Sequence, residues 1–240
     1  MTSLICLTYD DALQVHREVV APDLNARGMK GTFYVPAGRD DLHLELDGWR
    51  SVASMGHELG NHSCWHPCHT RKEWEWKPQY RLEDYDTRRI RDELLLANRI
   101  LYLIDGMTNR SYGATCSDLT CGPGDGVSFI DEIRDLFKVV RSGHNNLPMQ
   151  GPGKYIIPAM PGDFCRADDI ISVAEKMYRM AEAWMIVLIH GVGYGTHNSF
   201  MDANEHQHLL DWVASQCEWL EAVTVLEAVK RRGRNSVVRE

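Results

Sequence analysis

The chain has 240 residues, 44% hydrophobic and 25% charged, a globular balance that excludes disorder, a coiled coil and a disulfide-held mini-protein and suits one domain, 1–240, around one core. A formal charge of −8 leaves no footprint for phosphate backbones, so nucleic acid is excluded as a partner; the basic cluster Lys230, Arg231, Arg232 and Arg234 reads as a solvated helix end. No run approaches the ~18 apolar residues of a membrane span.

In chain order, Leu4-Ile-Cys-Leu-Thr-Tyr is a nearly continuous apolar run that stops at Asp10 and Asp11, the pattern of a buried parallel strand ending at a polar rim. A helix is predicted over 12–27, stopped by Gly28, and then a strand in Gly31-Thr-Phe-Tyr-Val-Pro. The alternation continues with a helix over 46–55, a strand at 58–60, a helix over 87–104 and a strand at 113–115. Next come a helix over 129–136, a strand at 137–141, a helix over 167–183 and the apolar strand 184–189. A helix over 204–216 leads to a strand at 220–225 and a closing helix. The Gly- and Pro-rich stretch 150–163 reads as a surface loop near the site. Repeated strand–helix units imply a parallel sheet, for which a closed or nearly closed barrel is the economical form.

Chemistry-bearing residues gather at the predicted strand ends. Neighbouring side chains on an extended segment diverge, so one carboxylate of the Asp10-Asp11 pair could bind a metal while the other acts as a base. His62 and His66, in Gly56-His-Glu-Leu-Gly-Asn-His-Ser-Cys-Trp-His-Pro, stand four apart, a spacing that on a helical turn brings two imidazoles to one ion. His190 follows the apolar strand Ile186-Val-Leu-Ile and precedes a glycine-rich loop. Two His with one Asp leave coordination positions for water and substrate, the pattern of a catalytic rather than a structural site.

Together these residues resemble the polysaccharide deacetylases with NodB-type homology, carbohydrate esterase family four. Thr8-Tyr-Asp-Asp is similar to the first motif, His62-Ser-x-x-His66 to the second and Leu188-Ile-His190 to the last, with further likeness at Gly31-Thr-Phe-Tyr-Val and Val223 to Val229. The resemblance implies an α/β fold, a distorted (β/α) barrel of about seven parallel strands. It also implies a divalent ion, zinc first with cobalt, nickel or manganese as alternatives, on Asp11, His62 and His66. Asp10 would be the general base and His190 the general acid, and the substrate an acetylated saccharide.

The sequence departs from that family in places. Position 12 is Ala where the family usually has Gly. The third motif, whose arginine orients the base, is not intact in Gly113-Ala-Thr-Cys-Ser-Asp; Arg141, ending its predicted strand, is the substitute. The fourth motif is unrecognisable, with Asp163 as stand-in. Cys64 and Cys68 read as loop thiols rather than zinc ligands. Trp49, Trp65, Trp74 and Trp76 read as either a sugar platform or loop packing. Seven cysteines without framework spacing, and no leader-like N-terminal segment, predict reduced thiols and a cytoplasmic protein. Two alternatives to carbohydrate deacetylation stay open: hydrolysis of another amide, such as a cyclic ureide or formamide, and a sugar-binding barrel without turnover.

Overall fold

The computed structural model describes residues 2–71, 78–144, 146–151 and 154–234. The first apolar run forms strand β1 (Ser3–Asp10), buried at every position, so both of its faces meet protein. Ile5, Leu7 and Tyr9 join the cluster beneath the helices, while Leu4 and Cys6 pack with Trp184, Ile186 and Leu188 in a second cluster. The two-residue period of a strand therefore carries Thr8 and Asp10 onto the second face, the inside of the barrel.

Six further strands complete a ring: β2 (Thr32–Val35), β3 (Glu58–Asn61), β4 (Ser111–Gly113), β5 (Val139–His144), β6 (Ile156–Pro161) and β7 (Ala183–Ile189). They follow one another around it in chain order, every pairing is parallel, and β1 pairs with β7 from Leu4↔Trp184 to Tyr9↔Ile189 to close it. The ring is uneven, since β4 is three residues long and meets β3 only at Asn61↔Tyr112. A short strand β8 (Leu220–Ala222) lies parallel to β1 outside the ring. The fold is the distorted seven-stranded (β/α) barrel expected from the sequence.

Five connecting helices and a closing one cover it: α1 (Ala21–Ala26), entered through a π-turn at His16–Val20, α2 (Leu46–Ser54), α3 (Thr87–Asp105), α4 (Ala167–Met177), α5 (Ala203–Ser215) and α6 (Val225–Arg234). Caps explain their limits. The Asp86 side chain accepts from the Arg89 N–H at the start of α3, and Gly106, at φ 70°, ends it. Val225 and Ala228 of α6 pack with Leu4 and Cys6 of β1, so α6 stoppers the N-terminal end of the ring and leaves the C-terminal end for chemistry.

Three expectations need correction. Residues 150–163 are not a loop throughout, because they contain the barrel strand β6. Pro158 hides it from a sequence reading, since proline supplies no ladder N–H; here it falls where the β5–β6 register shifts between Arg141↔Ile157 and His144↔Ala159. Residues 129–136 make one 3-10 turn, Asp131–Ile133, instead of a helix. Phe129, Ile130 and Ile133 are buried there against Tyr112 and Val140, and so short a segment has little helical stability of its own to resist that packing. The helix predicted to 183 ends at Met177, and Glu182, at φ 56°, turns the chain into β7.

Candidate active site

Three strand ends and one position within a strand deliver the candidate site. Asp10 is the last residue of β1, His62 follows β3, Arg141 lies in β5 opposite Gly113 of β4, and His190 follows β7. The two aspartates diverge as an extended pair should, but the turn does more than that. Asp11 and Ala12 both adopt positive φ, 76° and 52°, which swings the Asp11 carboxylate across the barrel mouth.

His62 and His66 come together without a helical turn, which corrects the expected geometry. Ser63 and His66 take left-handed conformations, φ 60° and 57°, and fold the segment so that the two rings sit 4.7 Å apart, edge to face. Asp11 Oδ1 lies 3.5 Å from His62 Nε2 and 3.2 Å from His66 Nε2. These three donors all fall within 4.8 Å of one another, separations compatible with bonds of ~2.0–2.2 Å to one shared ion.

The polar bookkeeping points the same way. His62 Nδ1 donates to the Gly113 carbonyl at 2.7 Å, so in the neutral ring Nε2 carries the lone pair; that buried atom makes a hydrogen bond to no neighbour. A buried polar atom without a partner is costly, and a cation beside it would remove the cost. The residues thus fit a divalent ion. Burial would raise the Asp11 carboxyl, but the His62 and His66 contacts outweigh it and hold the acid well below its ordinary range. Burial lowers His66, which favours the neutral imidazole, the form that binds metals.

Asp10 is 2% exposed. Arg141, itself buried, donates from Nη2 to Asp10 Oδ2 at 2.5 Å and lies over the Tyr34 ring at 4.7 Å. Oδ1 of Asp10 has no partner. Burial works against the carboxylate, but Arg141 and then His62 outweigh it and lower the acid's pKa. Across the site Asp163 grips His190 twice, accepting from its backbone N–H at 2.9 Å and lying 2.5 Å from Nδ1. Burial alone would lower His190, but the Asp163 hydrogen bond, with the Asp10 charge next, raises it to about 9. The His190 carbonyl accepts from His16 Nε2 at 2.7 Å, while His16 Nδ1 accepts from the Leu13 N–H.

Two site residues escaped the sequence reading. His197, on the glycine-rich loop after β7, stacks on His190 with ring centres 5.2 Å apart and places Nε2 3.6 Å from Asp11 Oδ2. Arg39 donates from Nη1 to the carbonyls of both Asp11 and Ala12. Neither stands at the end of an apolar run or at a ligand-pair spacing, the local signals that found Asp10, Asp11, His62, His66 and His190.

The cysteine reading is corrected in one respect: Cys68 and Cys116 form a disulfide, which removes both sulfurs from any ligand set. Cys64 is a buried free thiol facing the Glu93 carbonyl. Trp49 is core, packed against Phe33. Trp65 stacks on Tyr80 at 5.3 Å, while Trp74 and Trp76 lie outside the described residues. No helix among the described residues is long and apolar enough to cross a membrane.

Comparison with known proteins places these features. Residues 2–117 match the sequence model described as Polysaccharide deacetylase. Among curated proteins none matches. Several solved structures share the fold. The Xyl-CE4 domain of a multidomain xylanase from the hindgut metagenome of Trinervitermes trinervoides superposes with a TM-score of 0.61 at 16% identity, covering 97% of this chain and 92% of that one. A family 4 acetyl xylan esterase from Clostridium thermocellum, in complex with a cobalt ion, gives 0.60 at 18%, covering 96% and 92%. Peptidoglycan deacetylase PdaC from Bacillus subtilis gives 0.55 at 16%, covering 99% and 96%.

Proposed function

We propose that this chain, which resembles the polysaccharide deacetylases over residues 2–117, is a metal-dependent hydrolase that removes acetyl groups from a carbohydrate. One observation carries the reading: three convergent donors, one of them a buried nitrogen without a partner, lie between a carboxylate held by Arg141 and an imidazole held by Asp163.

Asp11, His62 and His66 would hold the divalent ion; zinc is proposed first, with cobalt supported by the acetyl xylan esterase of the same fold. When bound, the ion supplies a Lewis acid that polarises the acetyl carbonyl and makes water more acidic. Arg141 occupies Oδ2 of Asp10, so Oδ1 is the atom left to take the proton of the attacking water. Asp163 occupies Nδ1 of His190, so Nε2–H is left to protonate the departing nitrogen or oxygen as its bond to the acetyl carbon breaks. The products are acetate and the free amine or alcohol.

The test is acetate release by ion-stripped and reloaded protein from acetylated chito- and xylo-oligosaccharides. Release that returns with zinc or cobalt is expected, and none from any acetylated saccharide overturns the reading. Asp10→Asn should keep the ion and lose ~10²–10⁴-fold in kcat/KM; loss of the ion in that variant would show the base and ligand roles to be exchanged.

A further inference from the structure

We infer that Arg39 is a positioning residue for the candidate metal ligand Asp11, holding a backbone turn that its own residues disfavour. The inference rests on the metal-site reading above. Asp11 and Ala12 are consecutive, both carry a Cβ, and both are left-handed, φ 76° and 52°. In that region the Cβ crowds the following carbonyl, so such residues persist only where their surroundings over-determine them.

Ala12 is buried in the core cluster, and the carbonyls of the pair share one guanidinium. Arg39 Nη1 donates to Asp11 O at 2.8 Å and to Ala12 O at 2.6 Å, bridging the two carbonyls of the strained pair. The fork is itself held from behind: Nε and Nη2 donate to the two carboxylate oxygens of Asp41 at 3.1 and 3.0 Å. Glu45 lies 3.9 Å from Nη2 and is fastened by Arg17 and by the indole N–H of Trp49. A planar guanidinium with donors on two edges can bridge carbonyls with one edge and a carboxylate with the other, which an ammonium cannot do. Trp49 is core, so the chain of contacts runs from the rigid interior through Glu45 and Arg39 to the turn that aims Asp11 at His62 and His66.

Without the bridge, the turn has reason to relax toward ordinary φ and carry the Asp11 carboxylate away from the two imidazoles. Groups behind metal ligands typically contribute 10–100-fold in affinity. The experiment measures cobalt dissociation constants, by chelator competition without substrate, for the full chain and its Arg39→Met, Ala12→Gly and combined variants. Arg39→Met should weaken cobalt binding by ~10-fold or more. Ala12→Gly should return part of that loss, because glycine occupies the left-handed region without the Cβ penalty; rescue of this kind is not expected from a residue that merely supports the fold. Unchanged affinity in Arg39→Met, or a loss that Ala12→Gly does not lessen, overturns the inference. Should Arg39→Met fail to fold, Asp41→Asn frees one edge of the fork and should give a smaller loss; wild-type affinity there overturns it equally.

Hydrogen–deuterium exchange of the peptide spanning 9–15 reads the same turn in ion-free protein. Faster exchange in Arg39→Met is expected, and equal exchange rejects the clamp. A wild-type chain that binds no cobalt would instead strike at the metal-site reading, which keeps the two failures apart.

Discussion

At the scale of single residues, the proposed roles of Asp10 and His190 rest on a division of each side chain between a holding contact and an atom left open. Asp10 gives Oδ2 to Arg141, and His190 gives Nδ1 to Asp163. For His190 the consequence is measurable. A folded pKa near 9 against an ordinary 6.5 means that its charged form is favoured by folding. That contribution is complete below the unfolded value and is lost as pH rises through about 9. In ion-free protein, NMR titration of the His190 ring should therefore show an alkaline midpoint that moves to lower pH in Asp163→Asn. An unmoved midpoint would show that Asp163 does not hold the proton. Asp10 and His190 were readable from the chain because each interrupts an apolar run. That Asp163 meets His190 and Arg141 meets Asp10 was only suggested by the gaps in the motif pattern, since those partners are 27 and 131 positions apart.

At the scale of elements, one buried ion pair fastens the end of α3 to the ring, beside the apolar face of that helix. Arg110, directly before β4, bonds both oxygens of Asp105 at 2.5 Å and donates to the carbonyls of Leu59 in β3 and Met107. Both side chains are nearly inaccessible, 2% and 4% exposed. Removing one partner leaves an uncompensated buried charge, so Asp105→Ala should lower the unfolding free energy by ~3–5 kcal/mol. Urea unfolding with an unchanged slope is the measurement, and a loss under ~1 kcal/mol would mean that solvent or another group takes over the arginine. The same scale shows why β6 was missed and α3 was not. The long helix announces itself by period, Asp cap and terminal glycine, whereas β6 has prolines within it and depends on its neighbours for pairing.

At the scale of the whole molecule, the Cys68–Cys116 disulfide links the turn after His66 to the segment after β4, across 48 residues that include all of α3. Loop closure of that length corresponds to about 4 kcal/mol in the chain-entropy treatment. Other contacts tie the same two segments: Thr115 Oγ1 donates to the Pro67 carbonyl, and Asp118 accepts from the His69 N–H. Reduction by a dithiol, or the Cys68→Ser and Cys116→Ser pair, should therefore lower the unfolding midpoint without unfolding the barrel at room temperature. Identical midpoints for oxidised and reduced protein would show the bond to be energetically idle. No spacing rule pairs one cysteine in a histidine turn with another so far along, so only the fold exposed this link.

The sequence alone determined the alternation of strands and helices and the barrel class, because burial on both faces of a parallel strand forces apolar runs; it also pointed to Asp10, Asp11 and His190 where such runs stop, and to His62 and His66 by their spacing. The tertiary structure alone decided how those residues are aimed. The left-handed turns at Asp11, Ala12, Ser63 and His66 have no glycine to betray them. Arg39, His197, Asp163 and Arg141 reach the site through distances in space that no local periodicity encodes. A pattern of hydrophobicity records which face is buried; it does not record which polar groups, drawn from other strands and loops, will be paired at the mouth of the barrel.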